Sequence, residues 1–154
     1  GSMSVSFHDN RFITFTINNE IYAIEVLKIQ EVIYIPEITK VPGAPDFVVG
    51  VINLRGILLT IVDTSMEFGL TRQPDDRYNR IVVVNLGGDD RVGLLVDDVS
   101  EVVSLDVDAR EPLPTLQGGR LALYAHHIIH HDDRPVMLLE MERIVDAVSW
   151  GAAA

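Results

Sequence analysis

The chain has 154 residues, 47% of them hydrophobic, and a formal net charge of −11 with only two lysines, Lys28 and Lys40. That length suits one domain or two small, closely packed halves, and the charge argues against nucleic acid or an anionic membrane as a direct partner, since both call for clustered Lys and Arg. Cysteine is absent, which excludes disulfides and thiolate zinc sites and fits a cytosolic protein; no apolar run reaches the ~20 residues of a membrane helix, and Gly1-Ser2 ahead of Met3 reads as a cloning scar.

Valine and isoleucine together number 35, and both favour strands. "RFITFTI" alternates Ile13, Phe15 and Ile17 against Phe12, Thr14 and Thr16, "NNE" turns the chain, and "IYAIEV" follows. "VLKIQEVI" places Val26, Ile29 and Ile33 at helical spacing and predicts a short helix, although "YAIEV" could also run on as a strand. "VGVINL", the pair Arg55-Gly56 and "ILLTIVD" form a hairpin. The polar stretch "TRQPDDRYN", 71–79, divides the chain nearly in half. "RIVVVNL", the turn "GGDD" and "RVGLLVDDV" make another hairpin, "EVVSL" a further strand, and 106–120 a long loop with Pro112, Pro114, Gly118 and Gly119. "LALYAHHII" and "PVMLLE" flank the turn "HHDDR", and "EMERIVDAV" puts Met141, Ile144, Val145 and Val148 on one helical stripe. Nine or ten short strands without regular β-α alternation predict an all-β barrel or sandwich, and several strands in each half allow two similar small barrels.

Four of the five histidines lie in "YAHHIIHHDD", 124–133. On a strand His126 and His130 would share one face and His127 and His131 the other, so the two pairs would not converge on one ion. On a helix they sit at the spacing of a zinc-protease motif, but that motif needs a Glu after the first His, where His127 stands. The stretch is therefore read as an exposed hairpin end, with no metal assigned. "LLVDDV", 94–99, resembles the acidic pair of a phosphate-accepting receiver domain, yet only 56 residues follow Asp98 and none is lysine; a strand ending in a solvated acidic turn is the simpler account. No nucleophile elbow or phosphate loop is present, and no set of acid, base and nucleophile stands out.

"ITKVPGAPDFVVGVINLRGILLTIVD", 38–63, is the informative stretch. Pro42 and Pro45 bracket Gly43-Ala44 and impose an extended entry. Gly50 permits close backbone approach. Arg55, in an otherwise apolar hairpin, must direct its five donors to carbonyls or a carboxylate, as a structural clamp or as a partner contact.

With the preceding "YAIEVLKIQEV" and the later "RVGLLVDDVSEVVSL", this stretch resembles the CheW-like family of chemotaxis coupling (scaffold) proteins, over roughly residues 10–148. The resemblance implies two five-stranded SH3-like β-barrels packed side by side in a single domain, 8–148, with subdomains of about 10–75 and 76–148, strand exchange between them allowed, and one or two short helices. It implies no enzymatic activity and no cofactor. It implies one surface for the regulatory domain of a CheA-type histidine kinase and a groove between the barrels for the cytoplasmic tip of chemoreceptors, in a cytoplasmic protein recruited to receptor arrays without membrane insertion. Matched to the family's motifs, Ile29, Val99 and Val102 fall at receptor-groove positions, Glu31, Tyr34 and Ile38 around the kinase contact, and Gly50 and Arg55 at the motif's fixed glycine and arginine. The chain departs from the family at Thr60, where Pro is frequent, at Thr64, where Leu is, and in the His-rich last hairpin.

The leading function is thus a non-enzymatic adaptor between receptor and kinase. A CheW-like regulatory module of a non-flagellar chemosensory pathway, or of a kinase or receiver fusion, is the alternative; the few residues after "EMERIVDAVSW" lead us to expect no attached kinase or receiver. A metal-dependent protein built on His126–His131 is the third.

Overall fold

The structure, a computed structural model, describes residues 10–114 and 121–140. It is all-β. In chain order the strands are β1 (Asn10–Ile17), β2 (Glu20–Glu25), β3 (Ile29–Ile33), β4 (Val48–Leu54), β5 (Ile57–Asp63), β6 (Arg80–Gly87), β7 (Asp90–Val96), β8 (Asp98–Leu105), β9 (Glu111–Pro112), β10 (Ala125–His131) and β11 (Arg134–Leu139). One α-helical turn, α1 (Thr64–Glu67), follows β5, and single 3-10 turns occupy Val26–Lys28, Val107–Ala109 and Leu121–Leu123. The "EMERIVDAV" helix falls, past Glu140, outside the described residues.

The strands form two sheets, ordered β8-β1-β2-β11-β10-β9 and β3-β6-β7-β5-β4. Each contains the same arrangement. A central antiparallel hairpin (β1-β2, β6-β7) has an antiparallel neighbour on one side (β8, β3) and a parallel neighbour on the other (β11, β5), which carries its own antiparallel partner (β10, β4). The two-residue β9 is an extra strand at the edge of the first sheet. The halves are not the consecutive segments 10–75 and 76–148. Barrel A takes β1 and β2 together with β8–β11, and barrel B takes β3–β7. The chain therefore crosses between barrels twice, at Val26–Lys28 and at Asp97.

Each barrel surrounds its own small core. In barrel A, Phe12, Ala23, Val103, Leu105, Ile129 and Val136 come from all five long strands. In barrel B, Ile52, Leu59, Ile61, Ile81, Val83 and Leu95 fill the interior, with Ile33 from β3 packed against them. A Cβ on Gly93 would stand 2.5 Å from Ile61 Cδ1 and 2.8 Å from Ile81 Cγ2, so the glycine makes room for both side chains. The third core lies between the barrels and is the largest, with sixteen buried residues among those described. It draws Phe15, Ile17, Tyr22 and Ile24 from barrel A and Val82, Val84, Val92 and Leu94 from barrel B. This explains the uninterrupted runs "IVVV" and "LLV". Strands β6 and β7 are covered on both faces, so alternation disappears. At about 1.5–3 kcal/mol per fully buried large side chain, the shared core outweighs either interior.

"VLKIQEVI" is not a helix. Only Val26–Lys28 turn, as a 3-10 element, and Ile29–Ile33 run as β3 paired to β6. Three β-branched residues in five favour an extended chain, and β6 offers the pairing partner. Likewise Leu121–Leu123 of "LALY" form a 3-10 turn ahead of β10 instead of strand, while Glu111–Pro112, within the expected 106–120 loop, pair with His127 and Ile128.

Candidate functional site

Four hairpins turn on two residues or nearly so, and in three of them both turn residues have positive φ: Asn18 and Asn19, Arg55 and Gly56, Asp132 and Asp133. This is the geometry that matches strand twist, and it selects Asn, Asp and Gly. Arg55, at φ 51°, is the exception. Its turn is supported by the Gly56 N–H donating to Asn53 Oδ1 at 2.8 Å. Its guanidinium reaches across to β3 and donates from both terminal nitrogens to the two oxygens of Glu31, the Nη1–Oε1 bond being 3.3 Å. The guanidinium thus satisfies its donors with a carboxylate on the surface: the Arg55 side chain is 65% exposed. The bonded Arg55, helped by the Gln30 amide, holds the Glu31 carboxyl below the usual carboxylate range. In turn Glu31 raises the guanidinium above its ordinary value.

Exposed apolar groups flank this pair. Leu58, on the same hairpin, is 73% exposed, and Tyr34, just past β3, is 76% exposed. The Tyr34 ring is held by the Arg80 guanidinium, 4.2 Å from its centroid, a cation–π contact that fixes an otherwise free side chain. Ile38 is half-buried against the barrel B core. The next residue, Thr39, exchanges backbone hydrogen bonds with Val51 at 2.9 and 2.8 Å. Gly50 lies beneath this crossing, and a Cβ there would collide with the Thr39 carbonyl. In barrel B, Glu31 thus meets Arg55 at the surface, Tyr34 follows on the same chain segment, and Ile38 and Gly50 meet where that segment crosses β4. Leu58 was missed by motif reading, but alternation in "ILLTIVD" points to it: Leu59 and Ile61 face the core, so Leu58 faces out.

The three residues that the resemblance matches to a receptor groove differ among themselves. Ile29 and Val99 sit just beyond the two crossovers and both pack, half-buried, on the core between the barrels. Val102, on β8 opposite Ile13, is 58% exposed. The first crossover leaves Leu27 90% exposed. The second is pinned by Asp97, whose Oδ2 accepts from Asn18 N at 2.7 Å and whose N–H donates to Thr16 O at 3.0 Å. A carboxylate at Ile29 or Val99 does not leave the fold untouched, because it enters that core. Ile29→Glu should lower stability by about 2–4 kcal/mol, whereas Val102→Glu should stay within about 0.5 kcal/mol. Paired denaturant curves measure the difference.

The histidines do not converge. A bulge at His126 breaks the alternation in β10. His127 Nδ1 lies 3.8 Å from Glu140, His130 Nδ1 lies 3.2 Å from Glu111, and His131 Nε2 lies 3.5 Å from Asp132, so these three face different carboxylates.

A family model described as a CheW-like domain matches residues 11–149. The chain is 32% identical over 136 residues to a chemotaxis protein CheW of Klebsiella aerogenes, covering 88% of this chain and 81% of that one. It has the same identity and coverage with a chemotaxis protein CheW of Helicobacter pylori. Over 121 residues it is 31% identical to Protein PilI of Pseudomonas aeruginosa, covering 78% of this chain and 67% of the relative. Among solved structures it is similar to the scaffolding protein TtCheW from Thermoanaerobacter tengcongensis, with a TM-score of 0.78, 29% identity, and coverage of 86% and 89% of the two chains.

Proposed function

The chain belongs to the CheW-like domain family, and on that footing we propose that it is a non-enzymatic adaptor joining chemoreceptor tips to a CheA-type histidine kinase. The barrel B face around Glu31 and Arg55 takes the kinase regulatory domain, and the groove flanked by Ile29, Val99 and Val102 takes the receptor helix. In this reading the protein works in the cytoplasm, at receptor arrays, and no described helix is long and apolar enough to cross a membrane.

The observation that carries the reading is the conformation of Arg55. A positive φ is unfavourable for a long side chain and natural for Asn. A residue kept against the preference of its turn is a candidate for a role outside the turn. Here that role is to present a fixed, planar charge, neutralised in part by Glu31, among the exposed Tyr34 and Leu58. Arg55→Asn is the decisive variant. It should melt at the wild-type temperature or up to about 3 °C higher, and it should weaken binding of a kinase regulatory domain about tenfold or more. Arg55→Lys should lose much of the same affinity, since it keeps the charge without the planar fork. Wild-type affinity in both variants would remove Arg55 from the interface and make it a turn residue only.

The ion pair also sets a pH window. A carboxyl held low contributes above its unfolded value, near 4.3, and is lost only as pH falls through its lowered folded value. Kinase binding at constant ionic strength should therefore be flat from about pH 8 to pH 5 as far as Glu31 is concerned. Glu31→Gln should weaken binding across that whole range instead of shifting its midpoint.

A further inference from the structure

We propose that Glu101, His131 and Asp132 form a binding site for a borderline divalent cation of the zinc type, which clips shut the seam of barrel A. Strand β8 is hydrogen-bonded to β1 alone, and β10 to β11 and the short β9. Strands β8 and β10 share no ladder, so side chains close the barrel between them: Val103 and Ile129 inside, Glu101 and His131 at the rim. One donor atom from each of Glu101, His131 and Asp132 lies within 4.8 Å of the other two. His131 Nε2 and Asp132 Oδ2 are 3.5 Å apart. Two ligands of a tetrahedral zinc at 2.0–2.2 Å stand about 3.4 Å apart, so these two need almost no movement.

The third ligand is anchored from behind. The Thr14 hydroxyl donates to the Glu101 carbonyl at 3.1 Å and accepts from the Glu101 N–H at 3.3 Å, at a bulge in the β1-β8 ladder. Asp132 is placed by the β10-β11 turn, where its φ is 51°. Among the described residues no Lys or Arg pairs with Glu101 or Asp132. Two carboxylates thus share one rim of a chain that already carries a net charge of −11, and a divalent cation relieves that repulsion. One imidazole and two carboxylates suit zinc, cobalt or manganese better than calcium, which takes six to eight oxygens, or magnesium, which keeps an octahedral shell of oxygen and water. The histidine cluster alone could not reveal the site, because two of its three ligands are acidic and Glu101 is thirty residues away on a strand of separate pairing. This inference is independent of the adaptor reading.

The test uses the full chain, stripped with chelator and titrated with zinc chloride in a calorimeter. One equivalent should bind. Glu101→Gln and His131→Asn should each weaken it about tenfold or more, while His130→Asn, whose imidazole faces Glu111, should leave it unchanged. Zinc at a hundredfold excess over its Kd should raise the melting temperature roughly 9 °C in the wild type and not in Glu101→Gln. Both ligand positions are on the surface rim, so circular dichroism should show intact folds. Zinc affinity unaltered in Glu101→Gln and His131→Asn, loss of binding in His130→Asn instead, or equally tight binding of magnesium would each overturn the site and leave only adventitious histidine binding.

Discussion

Gly50→Val should lower the melting temperature by about 10 °C, the equivalent of roughly 3 kcal/mol in a domain of this size. Two independent costs fall on one residue. The backbone at φ 154° is a conformation that side chains rarely adopt, and the new Cβ meets the Thr39 carbonyl oxygen, with Ile38 Cγ2 2.8 Å away. Neither obstacle can move cheaply. Thr39 is held by its two backbone hydrogen bonds to Val51, and Ile38 is packed on the barrel B core. Relieving the clash means lifting the segment at Thr39 off β4. Gly50→Ala should show about the same loss, because the first carbon makes the clash. Circular dichroism melts of the two variants measure it. A glycine variant that melts as the wild type would show that the crossing at Thr39 is loose.

Most of the strands were legible because hairpins announce themselves locally. "NN" before "EIY", "RG" before "ILL" and "DD" before "RPV" are turn pairs with positive φ, set between apolar runs that alternate. What the sequence hid is pairing at a distance. Nothing in "IQEV" states that it will lie beside "VVVN", and a mildly helical spacing prevailed over three β-branched residues until β6 supplied the ladder. The division into barrels was hidden for the same reason. A break at 71–79 marks a loop, but sheet membership follows the parallel pairings β2-β11 and β5-β7, which join residues far apart in the chain.

The candidate site was legible in its motif and illegible in its exposure. Gly50 and Arg55 could be singled out by residue type, since one backbone must pass closely and one charge must find a partner. That the partner is Glu31, and that both remain on the surface, follows from the closure of barrel B by β3 and the segment after it. Ile29, Val99 and Val102 are equally apolar in the sequence, yet only Val102 is mostly exposed. The difference comes from the crossovers, which bring Ile29 and Val99 onto the core between the barrels.

Phe68→Ala should cost about 3–5 kcal/mol and should weaken receptor binding together with stability. Phe68 caps α1 and is nearly inaccessible. Its ring lies 5.4 Å from Tyr22 and 5.2 Å from Tyr124, and Tyr22 in turn lies 6.1 Å from Phe15. Phe68 is thus an aromatic group that follows β5 of barrel B into the core between the barrels, where it packs on Tyr22 of β2 and on Tyr124 ahead of β10. The same helical turn contributes Glu67, which accepts a 2.5 Å hydrogen bond from the Tyr124 hydroxyl. Truncation to alanine leaves a void beside that bond, and the core between the barrels loses one of its large aromatic contacts. The groove proposed for the receptor helix lies over this core, since Ile29 and Val99 rest on it. The face proposed for the kinase lies on barrel B, across β3 and the β4-β5 hairpin. At a temperature where the variant remains folded, a receptor-tip fragment should bind at least about tenfold more weakly, while a kinase regulatory domain should bind within about twofold of wild type. Equal loss of both partners would mean that Phe68 supports the fold as a whole and that the proposed groove does not depend separately on how the barrels pack against each other.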